Sequence, residues 1–557
     1  MAFQVSPGVQ VKEIDASGVI PAVSTSIGGF AGSFNWGPVE EVRTVSSETE
    51  LASIFGTPDS DTFKYFLTAA SFLKYGNALK VVRVASGHLN ATDGTAKLVK
   101  NEVHYDELSH DGSFIAKYPG KLGNSLKVVI CPANATAFGA FAQAASFDGA
   151  PGTSDSAALL GHSNDELHVA VVDTDGTWSG TAGTVLETFQ FVSQASDSVK
   201  SDGQSNYYKE VINRTSRYVY STGHPTTLTN CGEALATQAA ASTVYVTGTA
   251  AISVDLINGT DDNTPTDGEI GTAFGLLADA ETIDVNLLFA YPDANGSKDI
   301  ADKLIAICNA RKDCMAFVSP PIEDSVGTST PAADVKAWAD TLPSTSYAAT
   351  DSGAVYVYDK YNDVYRWLGA AGLCAGLCAN TDDVADAWFS PAGVNRGQLF
   401  GVTKLAYNPK KADRDTLYKA RVNPLVSFPG QGTMLFGDKT LLSKPSAFDR
   451  INVRRLFIVL EKAVATAAKA QLFEFNDEFT RAQFRNMLEP FMRDVKGRRG
   501  MTDFRVICDT TNNTGQVIDA NRFVADIFIK PSRSINFISL NFIATRTGVD
   551  FSEIAGS

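Results

Sequence analysis

Residues 527–548 read "IFIKPSRSINFISLNFIATRTG", a run in which Ile, Phe and Leu are interleaved with Ser and Asn. Period-two alternation of this kind is the pattern of a β-strand with an apolar face. Ile535 and Phe537 fall on one face, whereas Ile538, Leu540, Phe542 and Ala544 fall on the other. The change of phase predicts a bulge, a bend or apolar contact on both sides. Pro531 cannot donate to a strand ladder, so it is expected to divide an earlier strand, 523–529, from this later one. The run stops nine residues before Ser557, the last residue of the chain. A strand at that position presents a row of backbone donors and acceptors that invites pairing with another strand. What pairs with it decides how the fold is completed.

Just upstream lies a long helical region, from about 450 to 497. In "INVRRLFIVLEKAVATAAKAQLFEF" the positions Val453, Leu456, Phe457, Leu460, Val464, Ala467 and Leu472 mark one face. A second helix is expected after "FND", with Thr480 and Gln483 as a capping box and Phe484, Leu488, Phe491 and Val495 as its apolar stripe. Pro490 removes one internal hydrogen bond and is expected to kink it. Charge runs against the rest of the chain here. Residues 450–505 hold twelve Lys/Arg and seven Asp/Glu, a local +5, within a chain of net charge −15. Either this is a solvated face with ordinary ion pairs, or it is a basic patch turned toward an acidic protein partner.

At 557 residues the chain is too long for one ordinary core. A content of 44% hydrophobic and 20% charged residues is that of a soluble globular protein. The acidic balance argues against a general nucleic-acid binder. "MAFQVSPGVQVKEID" has neither the basic start nor the apolar centre of a signal peptide, and no window approaches eighteen uncharged apolar residues. Neither export nor membrane insertion is expected. The seven cysteines (131, 231, 308, 314, 374, 378 and 508) have no disulfide rhythm, which fits a reducing cytosol.

The pattern divides the chain into an N-terminal arm (1–26), an α/β passage (27–87), a mainly β insertion facing outward (88–260), an α/β middle part (261–345) and a C-terminal block (346–557). In the arm, Val9 and Val11 share one face of a short strand. Alternating strands and helices on both sides of the insertion predict a partly parallel sheet. The fold class is thus multidomain α/β, or α+β.

A search for chemistry returns little. All six histidines precede residue 225, and His104, His110, His162 and His168 are read as surface-loop residues. Cys374 and Cys378 stand four apart on one helical face, without the second pair a zinc site needs, so close helix packing is the simpler reading. "YPGKLGNSLKVVI" precedes a strand, whereas a phosphate loop follows one and opens a helix. Asp261–Asp262 and Asp382–Asp383 are read as solvated pairs. No catalytic residue, metal site or cofactor is expected.

The residues nevertheless carry a resemblance. "FRVICDTTNNTGQVIDANRFVADIFIKPSRSINFISLNFIATRTGVDFSEIAG" resembles the C-terminus of tail sheath proteins from contractile-tailed bacteriophages. "SPGVQVKEID" is similar to the N-terminal arm of that family, and "IGGFAGSFNWGPVEEVRTVSSETELASIFG" to the opening of its first domain. "YPGKLGNSLKVVI", "GTWSGTAGTVLETFQFVS" and "SNYYKEVINRTSRYVY" look like its large-sheath branch.

The resemblance implies a tail-sheath fold: a C-terminal α/β core facing the tail tube, β-rich inserted outer domains and extended terminal arms. It implies hexameric rings stacked helically around the tube, contracting to drive it through the host envelope. The partners would be further copies of the chain, the tube, the baseplate and the tail terminator, with no direct nucleic-acid contact. The location would be the virion, after assembly in the host cytoplasm. Terminal strands would be exchanged between subunits, through Val9 and Val11 in the arm and Ile535, Phe537, Ile538, Leu540 and Phe542 at the C-terminus. An ordinary hairpin within one core is the rival. Arg481, Arg485, Arg493 and Lys496 would face the tube. The sheath of a headless bacteriocin or injection particle is the nearest alternative. An α/β enzyme using the 261–345 sheet and a Ser/Thr-rich adhesin are more distant ones.

Overall fold

Short apolar runs with little polar alternation, GGFAG, LKVVR, LLF, MAFV and AATD, build the centre of the larger of two units. Such runs belong to strands covered on both faces. The computed structural model describes residues 23–228, 230–237, 245, 248–294 and 297–536. The larger unit comprises Ala22–Ala387 and Pro391–Lys462; the smaller comprises Met1–Pro21, Trp388–Ser390 and Ala463–Ser557.

In the larger unit the five runs pair as parallel neighbours, in the order Ala348–Asp351, Met315–Val318, Leu287–Phe289, Gly28–Gly32 and Leu79–Arg83. Val422–Asn423 extends one side in parallel, and Val42–Val45 closes the other antiparallel. The strands come from both sides of the inserted stretch and form one seven-stranded sheet.

Successive strand residues point to opposite faces, and two glycines reveal what covers each face. A Cβ at Gly28 would lie 2.8 Å from the Phe72 ring, in the turns of helix Phe63–Leu73. A Cβ at Gly29 would meet Leu277, just beyond helix Asp267–Gly275, at 3.1 Å. Helix Ala371–Val384 packs on Phe63–Leu73 through its small residues. A Cβ at Gly372 would stand 2.6 Å from the Thr68 carbonyl, and one at Gly376 would stand 2.6 Å from the Tyr75 ring. Cys374 and Cys378, two residues along from each glycine, are buried as well, and burial raises both thiols. This is the close packing the sequence suggested.

The inserted stretch builds a four-stranded antiparallel sheet, in the order Thr184–Ser193, Glu166–Asp173, Leu126–Pro132 and Ile252–Asp255. Val128, Ile130, Val169 and Val171 face one apolar cluster, while Val129, Cys131, Ala170 and Val172 face another built on Phe141 and Phe147. Contrary to the surface-loop reading, His168 is buried in the strand Glu166–Asp173, stacked 4.4 Å from Phe147 with Nε2 at 2.7 Å from the Gly149 carbonyl oxygen. His162 is buried too. The polar, turn-rich flanks concealed a strand covered on both faces.

The joint between this stretch and the parallel sheet is Arg83, the last residue of its strand and fully buried. Its Nε donates to the Phe34 carbonyl at 2.8 Å, Nη1 to Gly37 at 2.8 Å and Nη2 to Pro119 at 2.7 Å. Trp36 stands edge-on to Tyr118 and Trp178 beside it, at 5.5 and 4.8 Å.

Asp382 also departs from its solvated reading. It lies on helix Ala371–Val384 with its side chain 9% exposed, 2.7 Å from Arg455 Nη2 on helix Ile451–Ala468. The helical period brings an acid and a base from distant segments together in the interior.

At the C-terminal ends of the parallel strands two carboxyls are buried. Asp293 accepts from the backbone N–H groups of Ile300 and Ala301, yet burial pushes it up to about 6. Asp351 accepts from Ser319 Oγ and from the Gly353 N–H, and burial pushes it up to about 7. In the unfolded chain an aspartate titrates near 4. The native state therefore holds a proton that the unfolded state releases between these values. The contribution of Asp351 is fully present below about pH 4 and lost as the pH rises through 7. An Asp351→Asn chain should gain stability relative to the parent as the pH rises from 4 to 7, by up to roughly 4 kcal/mol. Urea midpoints across that range test it, and parallel pH profiles for the two chains would contradict it.

Candidate assembly interface

The smaller unit is built on helix Glu478–Gly497, which buries Phe484, Leu488, Met492 and Val495 on one side. The expected stripe holds, with Met492 in place of the half-buried Phe491. The helix continues through Pro490. Its cap is Asp477, whose side chain accepts from the Thr480 N–H at 2.8 Å, not the expected Thr480–Gln483 box. The carboxylate sits one turn earlier, where it also meets the positive end of the helix dipole.

Against this helix lies a strand pair, Met501–Ile507 antiparallel to Asp526–Pro531. Phe504 is opposite Ile529, and Val506 opposite Ile527. Pro531 ends the second strand, as its missing N–H requires. The earlier strand of the C-terminal run therefore pairs at home, three residues later in its start than expected. Among the described residues each of the two strands has a single strand neighbour. Two-stranded pairs are marginal alone and are completed by a helix or by further strands. Phe528 is exposed, and Ile535, beyond the pair, is 82% exposed. Val9, Val11, Phe537, Ile538, Leu540 and Phe542 lie outside the described residues.

The four basic residues do not share one exposed face. Arg481 is buried, and its Nη1 donates to the backbone and side-chain oxygens of Asn476 at 3.1 and 2.7 Å. Arg485 is half-buried. Arg493 and Lys496 are exposed, paired with Glu489 at 2.9 Å and with Asp503 at 3.1 Å. Arg498, which stacks 5.2 Å from the ring of Trp388, is exposed beside them, as is Arg499.

One feature escaped the sequence reading. The helical period places Leu472 on the apolar face of the first helix, but that helix ends at Ala468 and Leu472 is 63% exposed. Phe473, Phe475 and Phe479 are more exposed still, at 105, 84 and 75%. Asn476 pins the loop that carries them, donating to the Arg522 carbonyl at 2.7 Å and to the buried Asn513 at 3.2 Å. The sequence hides it, because Leu472, Phe475 and Phe479 stand at i, i+3 and i+7 and continue a helical period past the helix end; only Phe473, among the acids of "LFEFNDEF", breaks it.

Among the described residues no three His, Cys, Asp or Glu side chains are grouped to hold a metal ion, and no helix is long and apolar enough to cross a membrane. What the smaller unit offers is surface: strand edges, an aromatic loop and a basic helix end. These are parts of a protein that assembles.

Comparison with known proteins agrees. Residues 268–441 match the family "Phage tail sheath protein central domain", 443–545 match "Phage tail sheath C-terminal domain", and 25–84 match the N-terminal region of domain III of the tail sheath protein Gp18. The chain is 34% identical to the tail sheath protein of Vibrio phage KVP40, with 99% of each chain covered. It is 32% identical to that of Enterobacteria phage T4, again over 99% of each. The chain belongs to the phage tail sheath family. Its fold is that of a sheath tail protein of Listeria innocua, at a TM-score of 0.54 and 12% identity over 93% of this chain and 98% of that one. It is also that of the sheath in the contracted complex of the extracellular injection system PVC, at a TM-score of 0.52 and 12% identity over 99 and 100%.

Proposed function

We propose that this chain is the structural subunit of a contractile phage tail sheath. Copies stack as six-membered rings in a helical sleeve around a tail tube, and the sleeve shortens to drive the tube through the host envelope. The chain works in the virion, after assembly in the host cytoplasm, alongside the tube, the baseplate and the tail terminator. Its role is mechanical, without catalysis. The observation that carries this reading is the strand pair of the smaller unit, whose two strands have one neighbour each among the described residues, in a chain similar end to end to tail sheath proteins. A neighbour's strand added to such an edge satisfies backbone groups in a fixed register. The C-terminal run, through Ile535, Phe537, Ile538, Leu540 and Phe542, is one donor, and the arm carrying Val9 and Val11 is the other. Strands shared in this way keep subunits joined while the rings move.

The work of contraction comes from interfaces that are better in the short state. An extra ~200 Å² of apolar burial per subunit favours that state by roughly 5 kcal/mol, and many subunits add up without nucleotide hydrolysis. The virion is favoured over a headless injection particle because the relatives above 30% identity are phage proteins, whereas the PVC sheath is 12% identical.

A chain ending at Asn536 tests the shared strand. The full chain is expected to sediment as stacked rings or tubes, and the shortened one to remain as folded, unlinked subunits. Equal assembly by both would remove the C-terminal run as a donor.

A further inference from the structure

The exposed loop and the basic helix end stand at opposite ends of one rigid element. Helix Glu478–Gly497 has 20 residues and so spans about 30 Å. At its start Leu472, Phe473, Phe475 and Phe479 project into solvent, a cluster that a lone subunit has no reason to expose. Residues 470–480 hold three acids, Glu474, Asp477 and Glu478, and no Lys or Arg. At its far end residues 493–500 hold four bases, Arg493, Lys496, Arg498 and Arg499, against one acid, Asp494. The helix dipole accounts for acids at one end and bases at the other. It does not account for the phenylalanines.

We infer that this face is a docking surface between two copies of the chain: the acidic aromatic loop of one copy seats on the basic helix end of the next. The two patches are complementary in charge, and the length of the helix keeps them from meeting within one chain. Arg493, Lys496 and Arg498 are held by exposed ion pairs with Glu489, Asp503 and Asp494, at 2.9, 3.1 and 3.7 Å. Pairs of that kind are weak and exchange for a better-buried partner at little cost. Trp388, buried beneath Arg498, donates its Nε1–H to the Arg498 carbonyl and so fixes the basic end in place. Contact between two different patches of identical chains is head-to-tail, the geometry that builds rings and open helices rather than closed dimers. Aromatic anchors would supply affinity, and the charges direction and register. The inference rests on the sheath reading for the presence of many copies. It reassigns Arg493 and Lys496 from the tube to the neighbouring subunit.

Charge reversal tests it. Glu474→Lys with Glu478→Lys gives a chain with two basic ends, and Arg498→Glu with Arg499→Glu gives one with two acidic ends. Each alone should need at least a tenfold higher concentration to assemble. Their equimolar mixture, in which unlike ends meet again, should assemble as the parent does. Parental assembly by either variant alone, or no recovery in the mixture of two folded chains, would overturn the inference. A photo-crosslinker at Phe475 in assembled sheath should label residues 493–499 of a second copy. Labelling of the tube, of another surface, or of nothing would overturn the inference even where sheath forms. Failure of the full chain to form sheath with or without tubes would count against the sheath reading itself.

Discussion

Replacing Arg83 with Met should cost the larger unit about 3–6 kcal/mol. The side chain is fully buried, and its three donors satisfy three carbonyls, of Phe34, Gly37 and Pro119. Met fills a similar volume but donates nothing, and each buried acceptor left unpaired costs about 1–3 kcal/mol. The effect is offset in part because burial already disfavours the guanidinium, lowering it to about 9. Lysine is no remedy, since an ammonium on a single stem cannot reproduce the planar fork. Pro119 leads into the antiparallel sheet of the insertion, whereas Phe34 and Gly37 follow the first strand of the parallel sheet. The variant should therefore loosen the insertion first. Hydrogen exchange should rise at 114–132 before it rises at 287–289 and 315–318. Uniform loss across both sheets, or a stability change below about 1 kcal/mol, would contradict this role.

Replacing Arg455 with Met should cost about 3–5 kcal/mol, the range for breaking a buried pair by removing one partner. Asp382 would remain in the interior, where its Oδ2 accepts from both Arg455 Nη2 and Thr25 Oγ1, at 2.7 and 2.6 Å. Arg455 Nη1 also donates to the Cys378 carbonyl at 3.1 Å. Two helices and the segment entering the first strand converge on this pair. Adding Asp382→Asn should recover much of the loss, because the stranded charge and not the missing contact is the larger part. Denaturant midpoints of the parent, the two single variants and the double variant give the coupling energy. A double variant no better than Arg455→Met would contradict the argument.

Much of this fold was legible because it is local. The apolar runs at 79–83, 287–289 and 315–318, with helical patterns between them, announced a partly parallel sheet. Gly372, Cys374, Gly376 and Cys378, at four-residue spacing, announced close helix packing. The stripe Phe484, Leu488 and Val495 and the stop at Pro531 could be read from period and from proline alone. What escaped depended on partners and boundaries that no local period marks. Asp382 looks solvated until Arg455, 73 residues on, arrives beside it. Arg481 looks like one more member of a basic stripe until Asn476 turns it inward. His168 lies in polar company in sequence and in aromatic company in space. Leu472 continues a helical period past the end of the helix at Ala468, and the same period runs on through Phe475 and Phe479, so the loop looks like more helix. The family itself was legible through long stretches of motif, above all at the C-terminus, which no single residue would have disclosed.

The most direct measurement is electron microscopy of the purified full-length chain, alone and with tail tubes. Stacked six-fold rings, alone or as a coat on the tubes, are the expected result. Monodisperse subunits beside bare tubes, at high concentration and with the chain folded, would contradict its assignment as the sheath subunit.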